Sequence, residues 1–281
     1  MIVAILIVLG LALGSFVNAL VWRLHEQDAE RYKKEVNKKH LMRLSIARGR
    51  SMCPTCQHKL AGKDLIPVLS WLFLRGKCRY CSKPISAQYP IVELGLAILF
   101  VASYLWWPIV FDTAQTAVFG LWLALLTGLI ALLVYDARWF LLPNRLIYPL
   151  GGLAAVQALI VIATADKPLT VLLNMVLAVA VGGGIFYLLF QASKGKWIGG
   201  GDVKLGWLLG LVAATPARAI LFIFIGALLG SLVSLPLLAA KRLNRTSVIP
   251  FGPFLIISAI VTVLFGADIL RWYQQTFMGL Q

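Results

Sequence analysis

Apolar positions in this chain gather into long unbroken runs, without the alternation of a half-buried strand or the striping of a soluble helix. Runs close to the ~20 residues needed to cross a bilayer lie at about 2–22, 90–107, 116–135, 146–164, 170–191, 218–240 and 249–270. A shorter run lies at about 203–214. Inside lipid an α-helix satisfies its own backbone groups, so runs of this kind read as helices. The pattern predicts an all-α polytopic membrane protein with about eight transmembrane helices, one of them short. The only sizeable polar stretch, 23–89, predicts a small insert after the first span. The domain organisation is then a first helix at 1–22, the insert at 23–89 and a seven-helix membrane domain at 90–281.

Composition agrees and charge adds an orientation. Of 281 residues, 60% are hydrophobic and 13% charged, against about 45–50% and about 25% in soluble domains. Disorder is excluded as well, because disordered chains are poor in apolar residues. Lys and Arg number 26 against 11 Asp plus Glu, a net +15. If the short run crosses, the loops 23–89, 136–145, 192–204 and 241–248 share one side and carry 23 basic residues. Only Lys167, Arg218 and Arg271 fall on the other side. The positive-inside rule puts the rich set in the cytosol, with both termini outside. Leaving the short run uncrossed would move Lys241, Arg242 and Arg245 outward. No Lys or Arg precedes the first span, unlike a cleaved signal peptide, so 2–22 reads as a retained helix. The short run gives roughly 18 Å of helix, which suits a segment whose end is buried in protein or lines a wet cavity.

The insert carries two signals. Arg31, Lys33, Lys34, Lys38, Lys39, Arg43, Arg48 and Arg50 form a basic arm suited to anionic membrane lipids. No interleaved aromatics offer a stacking platform, so nucleic acid is not an expected partner. Next come Cys53-Pro-Thr-Cys56 and Cys78-Arg-Tyr-Cys81, two C-x-x-C pairs separated by 21 residues. Two such turns can close a tetrahedral site, so Cys53, Cys56, Cys78 and Cys81 are candidate ligands of a structural Zn2+ in a ribbon-like insert. Two redox motifs are the alternative, and a reducing cytosol disfavours stable disulfides. Four sulfurs saturate the ion, which leaves His58 a bystander and no open position for hydrolytic water.

Acidic residues in or beside the spans are few and costly, which marks them for function. They are Glu93, Asp136, Asp202 and Asp268. Asp268 lies at an outer end, where solvation explains it. Glu93 divides between an interhelical hydrogen bond and a substrate contact. Asp136 ends the third span before Leu-Leu-Pro-Asn (Leu141 to Asn144), and Asp202 follows Gly199-Gly200-Gly201 at the start of the short helix. Both fall at the cytosolic boundary. Two carboxylates meeting there share a proton, so one can polarise an amide carbonyl while the other activates water. Asp136 and Asp202 are therefore the candidate catalytic pair of an aspartyl protease. Gly199, Gly200 and Gly201 let backbone approach closely, and Lys204 and Glu93 join them as supports of the site. Helix ends suggest the charge resides on Asp202, at an N-terminus, and the proton on Asp136, at a C-terminus. Pairing of the aspartates with Arg138 and Lys204 is the structural alternative. At the level of function the rivals are an ion or proton transporter built on a broken helix, although no internal repeat is visible, and a membrane scaffold.

With Tyr135-Asp136, the sequence Gly199-Gly200-Gly201-Asp202 resembles the G-x-G-D intramembrane aspartyl proteases. Other motifs narrow this to the bacterial type IV prepilin peptidases. They are Gly14-Ser15-Phe16-Val17-Asn18 with Arg23, the segment Asp64 to Leu72 between the cysteine pairs, Gly76-Lys77-Cys78-Arg79, Ile85 to Leu94, Gly201 to Leu205, and Pro250-Phe251-Gly252-Pro253. The resemblance covers nearly the whole chain. It implies removal of the basic leader of type IV prepilins and pseudopilins at the cytosolic face of the bacterial inner membrane. It also implies N-methylation of the new N-terminal residue with S-adenosylmethionine; a leader peptidase without methyl transfer is the alternative. By the same resemblance Gly76 and Lys77 belong to a segment linked to methyl transfer. No nucleotide-binding loop is visible in the sequence. The basic extension at about 27–50 is longer than the family pattern.

Overall fold

The computed structural model describes residues 1–33, 37–46, 48–242, 249–277 and 279, the Lys39 side chain excepted. Lys34 and Arg245, counted in the charge pattern above, lie outside the described residues, as does the Lys39 side chain. The helices are α1 (Ile2–Arg31), α2 (Lys38–Arg43), α3 (Leu69–Phe73), α4 (Gln88–Leu105), α5 (Thr113–Trp139), α6 (Asn144–Ala163), α7 (Pro168–Ser193), α8 (Gly200–Ala213), α9 (Pro216–Ala239) and α10 (Gly252–Phe277). Seven of them, α1, α4 to α7, α9 and α10, are long and apolar enough to cross a membrane. With α8 as the short eighth, the all-helical membrane architecture expected from the apolar runs is the one observed. Extended backbone among the described residues is limited to isolated bridges, Met52 with Lys59 and Lys77 with Pro84.

The first helix runs nine residues past the end of its apolar stretch. Arg23, Gln27 and Glu30 share one helix face by their spacing, and all three are buried. Arg23 donates to the carbonyls of Ser45, Ile46 and Gly49, and Gln27 donates to that of Leu44 at 2.7 Å. Glu30 accepts from Lys33 at 2.7 Å and from the Asn37 N–H at 3.0 Å. The start of the polar insert is thus a helical extension whose polar stripe is consumed by the returning chain.

The chain packs as two compact units, residues 1–105 and 106–281. In the first, α1 packs along α4 and the cysteine-bearing insert folds on the same unit. In the second, α5 runs through the core, with Trp122, Leu125, Leu126, Leu129, Leu132 and Tyr135 all but sealed from solvent. It meets α6 and α10, while α8 packs chiefly against α7. A Cβ on Gly206 would stand 2.5 Å from the Gly182 carbonyl oxygen, so the α7–α8 seam admits no side chain there. The small-residue spacing of Gly206 and Gly210 therefore serves packing within the bundle. Helix α8 stops after fourteen residues because Ala214 takes a left-handed conformation and Pro216 opens α9 at once.

Candidate functional site

In the first unit the two cysteine pairs sit in matching turns. The Cys53 N–H donates to the His58 carbonyl at 3.0 Å and the Gln57 N–H returns to the Cys53 carbonyl at 2.9 Å. The second turn repeats this with Cys78, Lys83 and Ser82. Gln57 and Ser82 both take left-handed conformations, at φ 56°. The four sulfurs of Cys53, Cys56, Cys78 and Cys81 lie within 4.8 Å of one another, and Cys53 and Cys81 approach to 3.9 Å. A tetrahedral ion with bonds of about 2.3 Å requires sulfur edges of about 3.8 Å, so the cluster has the dimensions to hold a metal ion. A hydrogen bond with Lys83 favours the Cys81 thiolate, but burial and its three neighbours push that thiol up to about 11. His58 stacks on Tyr80, ring centroids 3.7 Å apart, outside the sulfur cluster.

The segment between the turns is tied down at both ends. Asp64 accepts from Arg79 at 2.7 Å, from the Tyr80 hydroxyl at 2.9 Å and from the Ala61 N–H at 3.2 Å. Burial opposes ionisation of Asp64, yet the Arg79 and Tyr80 side chains and the Ala61 N–H outweigh it and hold the carboxyl below its ordinary value. Glu93, on α4, is buried and accepts from the Val68 N–H at 2.7 Å. Val68 is left-handed at φ 61°, a costly conformation for a β-branched residue. Glu93 also accepts from the Ser15 side chain of α1, so the expected interhelical hydrogen bond is present and the insert adds a second one through Val68. Gly76, at φ +68°, lies under the indole of Trp71, where a Cβ would come within 3.0 Å of the ring. Lys77 is exposed beside it.

The second unit assembles the aspartates. Asp136 lies in the last turn of α5, only 5% exposed, and Asp202 in the first turn of α8. Although 65 residues separate them in sequence, they are near enough for their charges to repel. Neither expected cation occupies the site: Lys204 donates to Asn144 Oδ1 at 2.9 Å, and the Arg138 guanidinium lies 5.0 Å from the Trp139 ring centroid. Asp136 instead accepts the Gly252 N–H at 3.1 Å. Gly252 is the first residue of α10, so this carboxylate also faces a helix N-terminus. The helix-end argument that separated the two aspartates thus loses its asymmetry. Gly199 and Gly200 are exposed at the start of α8, and Gly201 packs against Leu142 of the loop after α5.

A family model described as the Bacterial Peptidase A24 N-terminal domain matches residues 8–107. A second, the Type IV leader peptidase family, matches residues 123–235. The chain belongs to the type IV leader peptidase family. Proteins named prepilin leader peptidase/N-methyltransferase are similar to it over nearly their full length. That of Bacillus subtilis (strain 168) is 32% identical, covering 98% of this chain and 99% of its own. That of Aeromonas hydrophila is 32% identical, covering 96% and 92%. That of Pseudomonas aeruginosa is 31% identical, covering 98% and 94%. No solved structure matches the chain. As a type IV leader peptidase family member it is an enzyme, which decides against the transporter and scaffold readings. Two residues in this family member's aspartate site escape a search for chemical groups: Gly252, which acts through its backbone, and Asn144, which anchors Lys204. The Gly-Pro at a helix start and the Pro-Asn before a span are the signals that could have found them.

Proposed function

We propose that this protein is a membrane aspartyl endopeptidase that cleaves the leader from type IV prepilins and pseudopilins and then N-methylates the new N-terminus. The observation that carries the proteolytic half is the meeting of Asp136 and Asp202 at the mouth of α8. Two carboxylates in mutual repulsion hold one proton between them. The protonated member donates to the scissile carbonyl oxygen while the ionised member takes a proton from the attacking water. Gly252 orients Asp136 through its N–H, and the open glycines 199 and 200 leave the Asp202 side clear for an extended peptide. Lys204, drawn aside by Asn144, leaves the carboxylates free of a neutralising ion pair.

The insert contributes a second division of labour. Its cysteines hold a structural Zn2+, whose bonds fix the two turns relative to each other and leave no position for water. The methyl donor is S-adenosylmethionine, which supplies an electrophilic methyl group to the exposed amine. Function follows the boundaries 1–22, 23–89 and 90–281, because the chemistry of metal and protease lies on either side of residue 89. The protein works in the bacterial inner membrane with the aspartates and cysteines facing the cytosol, and its basic arm rests on anionic lipid.

The test is a pair of isosteric substitutions, Asp136→Asn and Asp202→Asn, each co-expressed with a prepilin and read by mass spectrometry. Each is expected to lower leader cleavage by about 10²–10⁴-fold or more, the range for removal of a positioned acid or base. Cleavage at the parent rate in either variant would overturn the dyad.

A further inference from the structure

At the end of the second unit away from the aspartates, Gly266 leaves a notch in α10, and the Arg218 side chain of α9 crosses it. A Cβ on Gly266 would meet the Thr262 methyl carbon at 3.1 Å and the Arg218 Cγ at 3.6 Å. Gly266 stands fourteen residues along α10 from Gly252, whose N–H holds Asp136, a rise of at most about 21 Å. Helix α8 gives the same measure by a second route, with 14 residues between the Gly199 cap and the Ala214 turn into α9. With the aspartates at one boundary of a core about 30 Å thick, Arg218 falls about 9 Å or more inside the other. Half-buried there, it donates to no side chain or carbonyl and faces no acidic group among the described residues. The Thr262 hydroxyl oxygen is buried without a partner of its own, so it does not serve the guanidinium. Asp268, two residues past the notch, is exposed and taken by Arg271. The first turn of α9 worsens the position, because the positive end of a helix dipole disfavours a cation.

We infer that Arg218 holds the phosphate of a membrane lipid, drawn below the boundary into a dip above the short helix α8. An ionisable group at such depth needs a counterion or a local thinning of the bilayer, and a lipid phosphate brought inward supplies both. Side chains on a helix lean toward its N-terminus, which for α9 is the far surface. The planar guanidinium fork matches two phosphate oxygens. Elsewhere α9 exposes bare apolar side chains, Ile220, Phe224, Leu228 and Leu232 among them. The medium beside the helix is therefore lipid, and its phosphates are the anions within reach. The inference takes from the proposed function only the placement of the aspartates at a membrane boundary, and none of their chemistry.

Solid-state NMR of the full-length protein in phosphatidylglycerol liposomes tests this, with arginine guanidinium nitrogens labelled and their coupling to phosphorus measured. The Arg218 signal is the one missing from Arg218→Lys, and Arg218→Gln serves the assignment if the lysine variant fails to fold. Coupling to phosphorus is expected to remove about half or more of that signal, since a charge-assisted hydrogen bond brings the phosphate into contact. In liposomes of a galactolipid without phosphorus, with inorganic phosphate in the buffer, the loss is expected to vanish. An undiminished signal in phosphatidylglycerol overturns the site, whether water or a peptide carboxylate meets the arginine instead. A loss that persists in galactolipid assigns free phosphate and overturns the lipid. Leader cleavage, measured on the same samples, stands apart: a parent protein that cleaves nothing fails the proposed function, and the phosphorus coupling still decides the lipid.

Discussion

A single methyl group separates glycine from alanine, and at position 252 it would land 2.5 Å from Asp136 Oδ2. That contact cannot be relieved without moving either the carboxylate or the start of α10. Gly252→Ala is therefore expected to lower kcat for leader cleavage about tenfold or more, a loss of about 1.4 kcal/mol of transition-state stabilisation. KM should change by less than about twofold, because the glycine holds the reacting group and not the substrate. Steady-state cleavage of a prepilin checks both, and an unchanged kcat would sink the positioning role. The contrast with the aspartates shows what a sequence displays at this scale. Asp136 and Asp202 announce themselves, since a carboxylate beside a long apolar run needs a reason. Gly252 carries no such mark: its partner is 116 residues away and its contribution is one backbone N–H.

At the scale of elements, the long spans are legible because each is a run of apolar residues with charges only at its ends. The extension of α1 is not, since Arg23, Gln27 and Glu30 read as a polar arm until residues 44–49 return to meet them. The metal turns stand between these cases. Cysteine spacing gives the candidate ligands, while the left-handed Gln57 and Ser82 that shape the turns carry no signature of their own. Between residues 51 and 85 only Cys53 and Cys78 are buried, so an ion held by the cysteines would supply much of the module's order. Removing the metal with a chelator is expected to open residues 51–85 to proteolysis while α5 to α10 stay resistant, read by peptide mapping. An unchanged digestion pattern in metal-free protein would count against a structural ion. Acid should act on the module through Asp64. The Asp64–Arg79 link, whose carboxyl is held below its ordinary value, is present at neutral pH and is lost only as pH falls through that lowered value.

Across the second unit as a whole, one hydrogen bond constrains the path of the chain through the membrane. Helices α6 and α7 go out and return, which alone brings the start of α8 back to the side where α5 ends. The Gly252–Asp136 bond then requires α10 to begin on that same side. Helix α9 crosses once, so the chain must cross once more between Asp202 and α9, and only α8 lies there. Fourteen residues of helix span about 21 Å, short of a core of about 30 Å. On this path the Ala214–Thr215 turn is expected to stop short of the far surface. This path would put Arg138, Arg145, Lys194, Lys196, Lys241 and Arg242 with the aspartates and Lys167 and Arg218 opposite, the alternation expected from charge. Single cysteines placed at Ala137, Gly195 and Lys241 should react with a membrane-impermeant maleimide only from the cytosolic side, in inside-out vesicles. Cysteines at Ala165 and Asp112 should react only in the opposite orientation, with peptide mass spectrometry separating each from the native four. Labelling of positions 137 and 195 from opposite sides would dismantle the dyad together with the eight-crossing path, because no arrangement of α6 and α7 could then join the two carboxylates.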